Sequence, residues 1–424
     1  MESIKWHKFI IMFLACLCLT GCGGSLPDTY QEGSDYQYME KYVFTSFHQK
    51  GEGTEYFAYN GFIYYMDGAT ENILPLCGKA DCLHDKEMDE EQKQKCNAYM
   101  ETEADDAGIA YCNGYLYYVD TSIDSPPALY RLSADGMEKE QVYEWKDNIT
   151  IEQWIVHRDV FYFAEHSYLA NSGGTEERYN LKALPLNGKN IKKPETVYAV
   201  DENLDVFTLA HPVAYGNFLY FIVHGRIKTE DEVTDDNYMD YQFLKTFIYD
   251  IKRETVSELA LPDMPKGNVV QDVVFWQDRI IFSPFDENKE CLDPGTGTWY
   301  IADLDGSNIE VFMENVGQGL NFFSDGKYLY LSNVSMVSLE YDKGKEMYKV
   351  YDENLKMVDT ITFPYKASSG FGEPAIGRAD YMYMLYESGE KETSTEWGVA
   401  CWDKRKIGSY DGSAFKLKKI KYRG

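Results

Sequence analysis

Three cysteines and a histidine stand close together in one short stretch of the chain. The run Cys77-Gly78-Lys79-Ala80-Asp81-Cys82-Leu83-His84 is followed, after eleven further residues, by Cys96. The pattern C-x4-C-x-H-x11-C offers three thiolates and one imidazole, a set that completes a tetrahedron around a structural zinc. The spacing is not that of a standard finger. The same thiols also suit a disulfide, which would pair two of Cys77, Cys82 and Cys96 and leave the third free or joined to Cys112. A third reading leaves the thiols incidental. Four protein ligands leave no position for substrate, so a zinc here is structural rather than catalytic. Between the ligands, Asp85 to Lys95 is rich in helix formers and predicts a short solvated helix or loop. Metal or disulfide, the bond staples a loop too small to fold alone.

The rest of the chain offers little chemistry. It holds no G-x-S-x-G elbow, no H-E-x-x-H, no phosphate loop and no dinucleotide fingerprint. His48, His157, His166, His211 and His224 are scattered without ligand spacing and read as structural or surface residues. The acidic runs Glu101 to Asp106 and Glu230 to Asp240 read as solvated loops. Asp231, Glu232, Asp235 and Asp236 lack the register of a calcium loop. Asp303-Leu304-Asp305-Gly306 reads as hairpin chemistry. Trp145, Trp154, Trp276, Trp299, Trp397 and Trp402 read as core residues rather than sugar platforms. Cys112, Cys291 and Cys401 read as small buried hydrophobes. An enzyme reading survives only as a carbohydrate-active hydrolase or lyase, using carboxylates or a tyrosine at a channel mouth.

The N-terminus reads as a processing signal. Lys5 and Lys8 precede an apolar run, Phe9 to Leu19, that is short for a bilayer span. The run ends in Leu19-Thr20-Gly21-Cys22, which resembles the lipobox of bacterial lipoproteins. The resemblance implies removal of residues 1–21 and diacylation of Cys22, and two acyl chains make a stable anchor. The mature chain is then expected on the outer face of the cytoplasmic membrane. Residues 22–40 form a tether, whose polar stretch from Gly23 to Gln37 reads as a flexible leash. That compartment permits the disulfide reading. The net charge of -29 makes nucleic acid a poor partner. The basic C-terminal run, Lys416 to Arg423, reads as a strand with a solvated lysine edge.

An aromatic strand follows a tight turn seven times, at intervals of roughly 50 residues, the range of propeller blades. Asn60-Gly61 leads into Phe62 to Tyr65, and Asn113-Gly114 into Tyr115 to Tyr118. Arg158-Asp159, Gly216-Asn217, Gln277-Asp278, Asp325-Gly326 and Ala379-Asp380 open the other five. The second unit shows a whole blade, with strands at Gly108 to Tyr111, Tyr115 to Val119, Ala128 to Leu132 and Gln141 to Tyr143. The aromatic strands are apolar on both faces, so each sheet must be covered on both sides. These features predict an all-β fold over residues 41–424, a β-propeller of four-stranded antiparallel blades, with a Cys-rich insertion at about 76–106. Seven blades are expected; six or eight also fit the spacing. Tyr42 to Phe47 or the C-terminal strand would complete the terminal blade. The runs Ala128 to Gly136 and Ile301 to Asn308 resemble the strand-turn pattern of TolB-like propellers, and the Cys segment resembles one that recurs in lipoproteins of this type. The resemblance implies a scaffold or binding module acting on a protein or glycan partner. A strand-only pattern argues against a two-lobed solute receptor.

Overall fold

The computed structural model describes residues 27–31, 35, 48–50, 54–59, 61–67, 72–82, 84, 89–100, 108–121, 125–171, 174–187, 193–201, 203–228, 241–259, 268–286, 297–316, 320–335, 347–362, 380–388, 396–409 and 415–419. They form an all-β propeller. Six antiparallel four-stranded sheets follow one another as blades 1 to 6, spanning 48–75, 110–144, 149–199, 204–259, 268–316 and 320–362. The expectation of seven complete blades is corrected to six. The seventh sheet carries three strands, Tyr381–Ser388, Glu396–Asp403 and Phe415–Lys419. Its aromatic strand stands directly after Asp380. Residues 363–379, where a preceding strand would fall, lie outside the described residues, as do 42–47. The C-terminal strand does join this last sheet, pairing with Glu396–Asp403.

The core lies between the sheets. Phe161, Phe163, Leu181 and Leu219 pack blade 3 against its neighbours, and Tyr220, Phe275 and Phe282 pack blade 4 against blade 5. Phe57, Tyr64, Tyr383 and Val399 join blade 1 to the seventh sheet and close the ring. Trp145, Trp154, Trp276, Trp299 and Trp402 are all buried, as expected for core residues; the side chain of Trp397 lies outside the described residues. Cys112 and Cys401 are buried too, while Cys291 lies outside the described residues. Among the described residues no helix is long and apolar enough to cross a membrane.

The hairpin turns share one end of the propeller, here the turn face, and they bond blade to blade. Arg158, Asp159, Gln277 and Asp278 all take positive φ, between 47° and 64°. Two such residues make the turn that matches strand twist, and glycine would fill it with less strain. Their side chains explain the choice. Asn113 donates to Asp159, Arg158 donates to Asn217 at 2.6 Å, Tyr215 donates to Asp278, and Gln277 donates to the Glu353 carbonyl at 3.2 Å.

The stretch expected to be a leash is partly docked on this face. Arg158 holds Asp35 with two hydrogen bonds, 2.6 and 3.0 Å, and donates to the Thr29 carbonyl at 3.0 Å. The side chain of Asp35 is fully buried and that of Arg158 is 7% exposed. Burial holds His157 below the ordinary histidine range, so its neutral ring donates from Nε2 to the Gly216 carbonyl at 2.7 Å. Gly216 is left-handed (φ 59°), and a Cβ there would stand 1.8 Å from the Asp28 carbonyl oxygen.

Polar groups also close the ring. Lys404, which follows strand Glu396–Asp403 of the seventh sheet, donates to Asp325 of blade 6 at 3.0 Å, and Tyr330 donates to the same carboxylate at 2.7 Å. Nearby, burial pushes the carboxyl of Glu55 up to about 8, against a hydrogen bond from Tyr383 and the charge of Lys404.

Two predictions follow from these contacts. Gly216→Ala should cost at least about 1 kcal/mol from left-handed backbone alone and release residues 27–31, seen as a lower Tm and new proteolysis there. For Glu55 the folded-state value lies above the unfolded 4.5. Its stabilising contribution is therefore complete below about pH 4.5 and lost as pH rises through about 8. Urea unfolding should show Glu55→Gln gaining on the wild type by a few kcal/mol between pH 5 and pH 9.

Candidate metal centre and binding groove

The four residues singled out from sequence converge. One ligand atom from each of Cys77, Cys82, His84 and Cys96 lies within 4.8 Å of all the others. The Cys96 sulfur stands 3.5 Å from His84 Nε2. No disulfide joins Cys77, Cys82, Cys96 or Cys112. Cys22 lies outside the described residues.

The segment is built as an excursion from the edge of blade 1. Strand Ile73–Pro75 pairs with Phe62–Met66, and Leu76 N–H donates to the Ile63 carbonyl at 2.8 Å. Cys77 N–H then donates to the Pro75 carbonyl at 2.9 Å and turns the chain away. Gly78 N–H reaches the Gly136 carbonyl in a blade 2 hairpin at 3.0 Å. Gly136 must be glycine: a Cβ would meet the Leu76 carbonyl group at 2.8 Å. The expected short helix spans Glu90–Lys95. Asp89 and Gln92 form its capping box, and acidic residues fill the first turn and basic ones the last. Lys79 Nζ donates to the Lys95 carbonyl at 2.7 Å. Cys96 ends the helix, and buried Asn97 donates from its amide to the Gly136 and Met137 carbonyls, both at 2.9 Å. The chain then rejoins the edge it left, with Ile63 N–H donating to the Ala98 carbonyl at 2.8 Å.

The electrostatics favour a cation. Burial works against ionising Cys77, but backbone amides of Lys79 and Asn97 and the neighbouring thiols outweigh it and hold this thiol below its ordinary range. Burial and the charge of Cys77 raise Cys82, and the same two causes raise Cys96 further. One thiolate therefore suppresses the other two, and a divalent ion removes that repulsion. In a tetrahedral zinc site with bonds of about 2.0–2.3 Å the ligand atoms stand roughly 3.5–3.8 Å apart. The present spacing needs only small inward shifts. The donor set, the amides aimed at sulfur and the partial burial all fit the metal.

No local pattern in the chain marks a second cluster, between blades 3 and 4 at the end opposite the turns. His166 is buried and stacked on Tyr179, with ring centres 4.0 Å apart. Its Nδ1 lies 3.3 Å from Glu152 and its Nε2 3.3 Å from Glu177. The Tyr168 hydroxyl stands 3.3 Å from Nδ1. Burial raises the Glu152 carboxyl against the pull of His166. Period-2 spacing along strand Val160–Asn171 links His166 to Tyr168, but Glu152 and Glu177 come from other strands. Above the cluster runs a groove of about 880 Å³, lined among others by Tyr179, Asp205, Phe207, Arg226 and Lys228. Of the remaining histidines, His157 is structural and His224 packs edge-on to Phe207. The side chains of His48 and His211, and the acidic runs 101–106 and 230–240, lie outside the described residues.

No family model matches this chain, and no curated protein matches it in sequence. Solved structures do match it. A puromycin-hydrolysing peptidase of Mycobacterium tuberculosis aligns with a TM-score of 0.52 at 11% identity, over 94% of this chain and 57% of that one. An oligogalacturonate lyase from Vibrio parahaemolyticus aligns at 0.49 and 12%, over 84% and 87%. TolB from Acinetobacter baumannii aligns at 0.36 and 12%, over 88% and 78%. The present chain thus spans little more than half the length of the peptidase. At these identities the likeness is one of fold, the β-propeller.

The metal centre makes a direct prediction. The purified chain should carry one zinc-type ion, and a chelator should expose three thiols to titration, two of which a disulfide would have withheld. Cys96→Ser should abolish binding, and Asn97→Ala, which unpins the loop, should weaken it about 10- to 100-fold. Affinity should fall as pH drops, because the thiols must lose protons to bind.

Proposed function

We propose that the chain is a binding or scaffold module of the cell envelope, held by acyl chains on Cys22 outside the cytoplasmic membrane. Its contact surface is the groove between blades 3 and 4. One observation carries this reading. Of the eight large hydrophobic side chains exposed among the described residues, Phe207 lines this groove, and Tyr168, Leu169 and Ile227 stand on the strands that border it. Exposed apolar side chains gathered at one place, with polar neighbours, mark an interaction site. Arg226 and Lys228 beside Phe207 give that site both charge and a ring face, suited to a protein or glycan partner. The Cys77, Cys82, His84 and Cys96 centre is a structural zinc site that fixes the blade 1 edge and takes no part in binding.

A second reading, a carbohydrate-active hydrolase or lyase, draws on the His166 cluster. His166 Nε2 is closed to solvent, and carboxylates stand beside both ring nitrogens. The imidazole therefore has no open face for a substrate proton, and binding is the better supported reading. A photocrosslinker placed at Phe207 should capture one stoichiometric protein or glycan from intact envelopes. Tyr168→Ala should reduce that capture at least about tenfold, the loss expected of one central aromatic contact. Failure to capture either class would overturn the reading.

A further inference from the structure

We infer that residues 27–31 and Asp35 hold the propeller in one orientation on the membrane, with the turn face and the metal centre toward the bilayer and the groove of blades 3 and 4 pointing away. The inference rests on the anchoring of Cys22 proposed above and adds to it what the docked segment does. A free tether from residue 22 to residue 40 would span about 25 Å root-mean-square and would let the ring tumble. The docked segment removes that freedom. Asn217 N–H donates to the Asp28 carbonyl at 3.0 Å, and Lys252 donates to the Asp28 carboxylate at 3.1 Å. Tyr30 packs against Tyr215, with ring centres 6.2 Å apart. Arg158 closes the clamp on Thr29 and on the fully buried Asp35.

Only five residues, six Cα–Cα steps, separate Cys22 from Asp28. Fully extended, they reach roughly 20 Å. The turn face of blades 3 and 4 is thus held within that distance of the lipid. Strands Val160–Asn171 and Gly174–Pro185 run from this face, where Val160 pairs with Pro185, to the far end, where Asn171 pairs with Gly174. The groove belongs to the far end. The metal centre docks on the Gly136 turn and shares the membrane-facing side. An anchor that is clamped rather than loose therefore presents the exposed aromatic side chains outward.

The test uses the full lipidated chain on vesicles of three parts phosphatidylcholine to one part phosphatidylglycerol, carrying a headgroup quencher. A genetically encoded fluorophore replaces either Asn187, exposed on the turn face, or Leu169 at the far end. Quenching at position 187 should exceed that at position 169 at least threefold. Arg158→Ala should equalise the two while the fraction pelleting with vesicles stays the same. Twelve Gly and Ser residues inserted between Ser25 and Leu26 should do so as well, without altering any clamp residue. Equal quenching in the unaltered chain, with pelleting intact, overturns the orientation and leaves the anchor standing. A chain that stays in the supernatant with Cys22 intact overturns the anchor, and the orientation with it.

Discussion

Every sheet of this protein is apolar on both faces, and that constraint decides the rest. A sheet with one wet face can stop at two layers. A sheet such as blade 4, whose strand Phe218–Ile227 begins with six consecutive buried residues, must be covered twice. Each blade covers its two neighbours, and the demand is met only when the last sheet meets the first, as Tyr383 and Val399 meet Phe57 and Tyr64. Ring closure is therefore a condition of burial rather than a separate device.

Apolar packing alone leaves neighbouring blades free to slide, and the turn face supplies the registration. Arg158-Asp159 and Gln277-Asp278 accept left-handed backbone that glycine would hold with less strain; the Arg and Gln side chains bond the following blade and the two Asp side chains the preceding one. The buried Lys404 and Asp325 pair works the same way between blade 6 and the last sheet. Such a pair is poor evidence for added stability, since burial taxes both charges, but it admits one relative placement of the two sheets.

Much of this was legible in the chain. Turn pairs followed by aromatic runs marked the blades because period and turn chemistry are local properties. The Cys77 to Cys96 segment was legible for the same reason, since all four ligands lie within twenty residues. Features that depend on long separations were not. Asp35 and Arg158 are 123 residues apart, and nothing near Asp35 in the sequence distinguishes a docked segment from a leash. Glu152, His166 and Glu177 sit on three different strands. The seventh sheet looked like the others because its turn and aromatic strand carry the full signal.

The excursion that carries the thiols leaves and returns at a single residue. Ile63 accepts from Leu76 through its carbonyl and donates to Ala98 through its N–H, so both ends of the loop are fastened to one residue of one strand. The ring thus carries the loop as a side pocket carries its contents, without routing any blade-forming strand through it. Whatever happens to the metal is confined to a closed circuit of backbone, and the segment has the character of a cassette that an exposed strand edge could accept or lose while the blades keep their order.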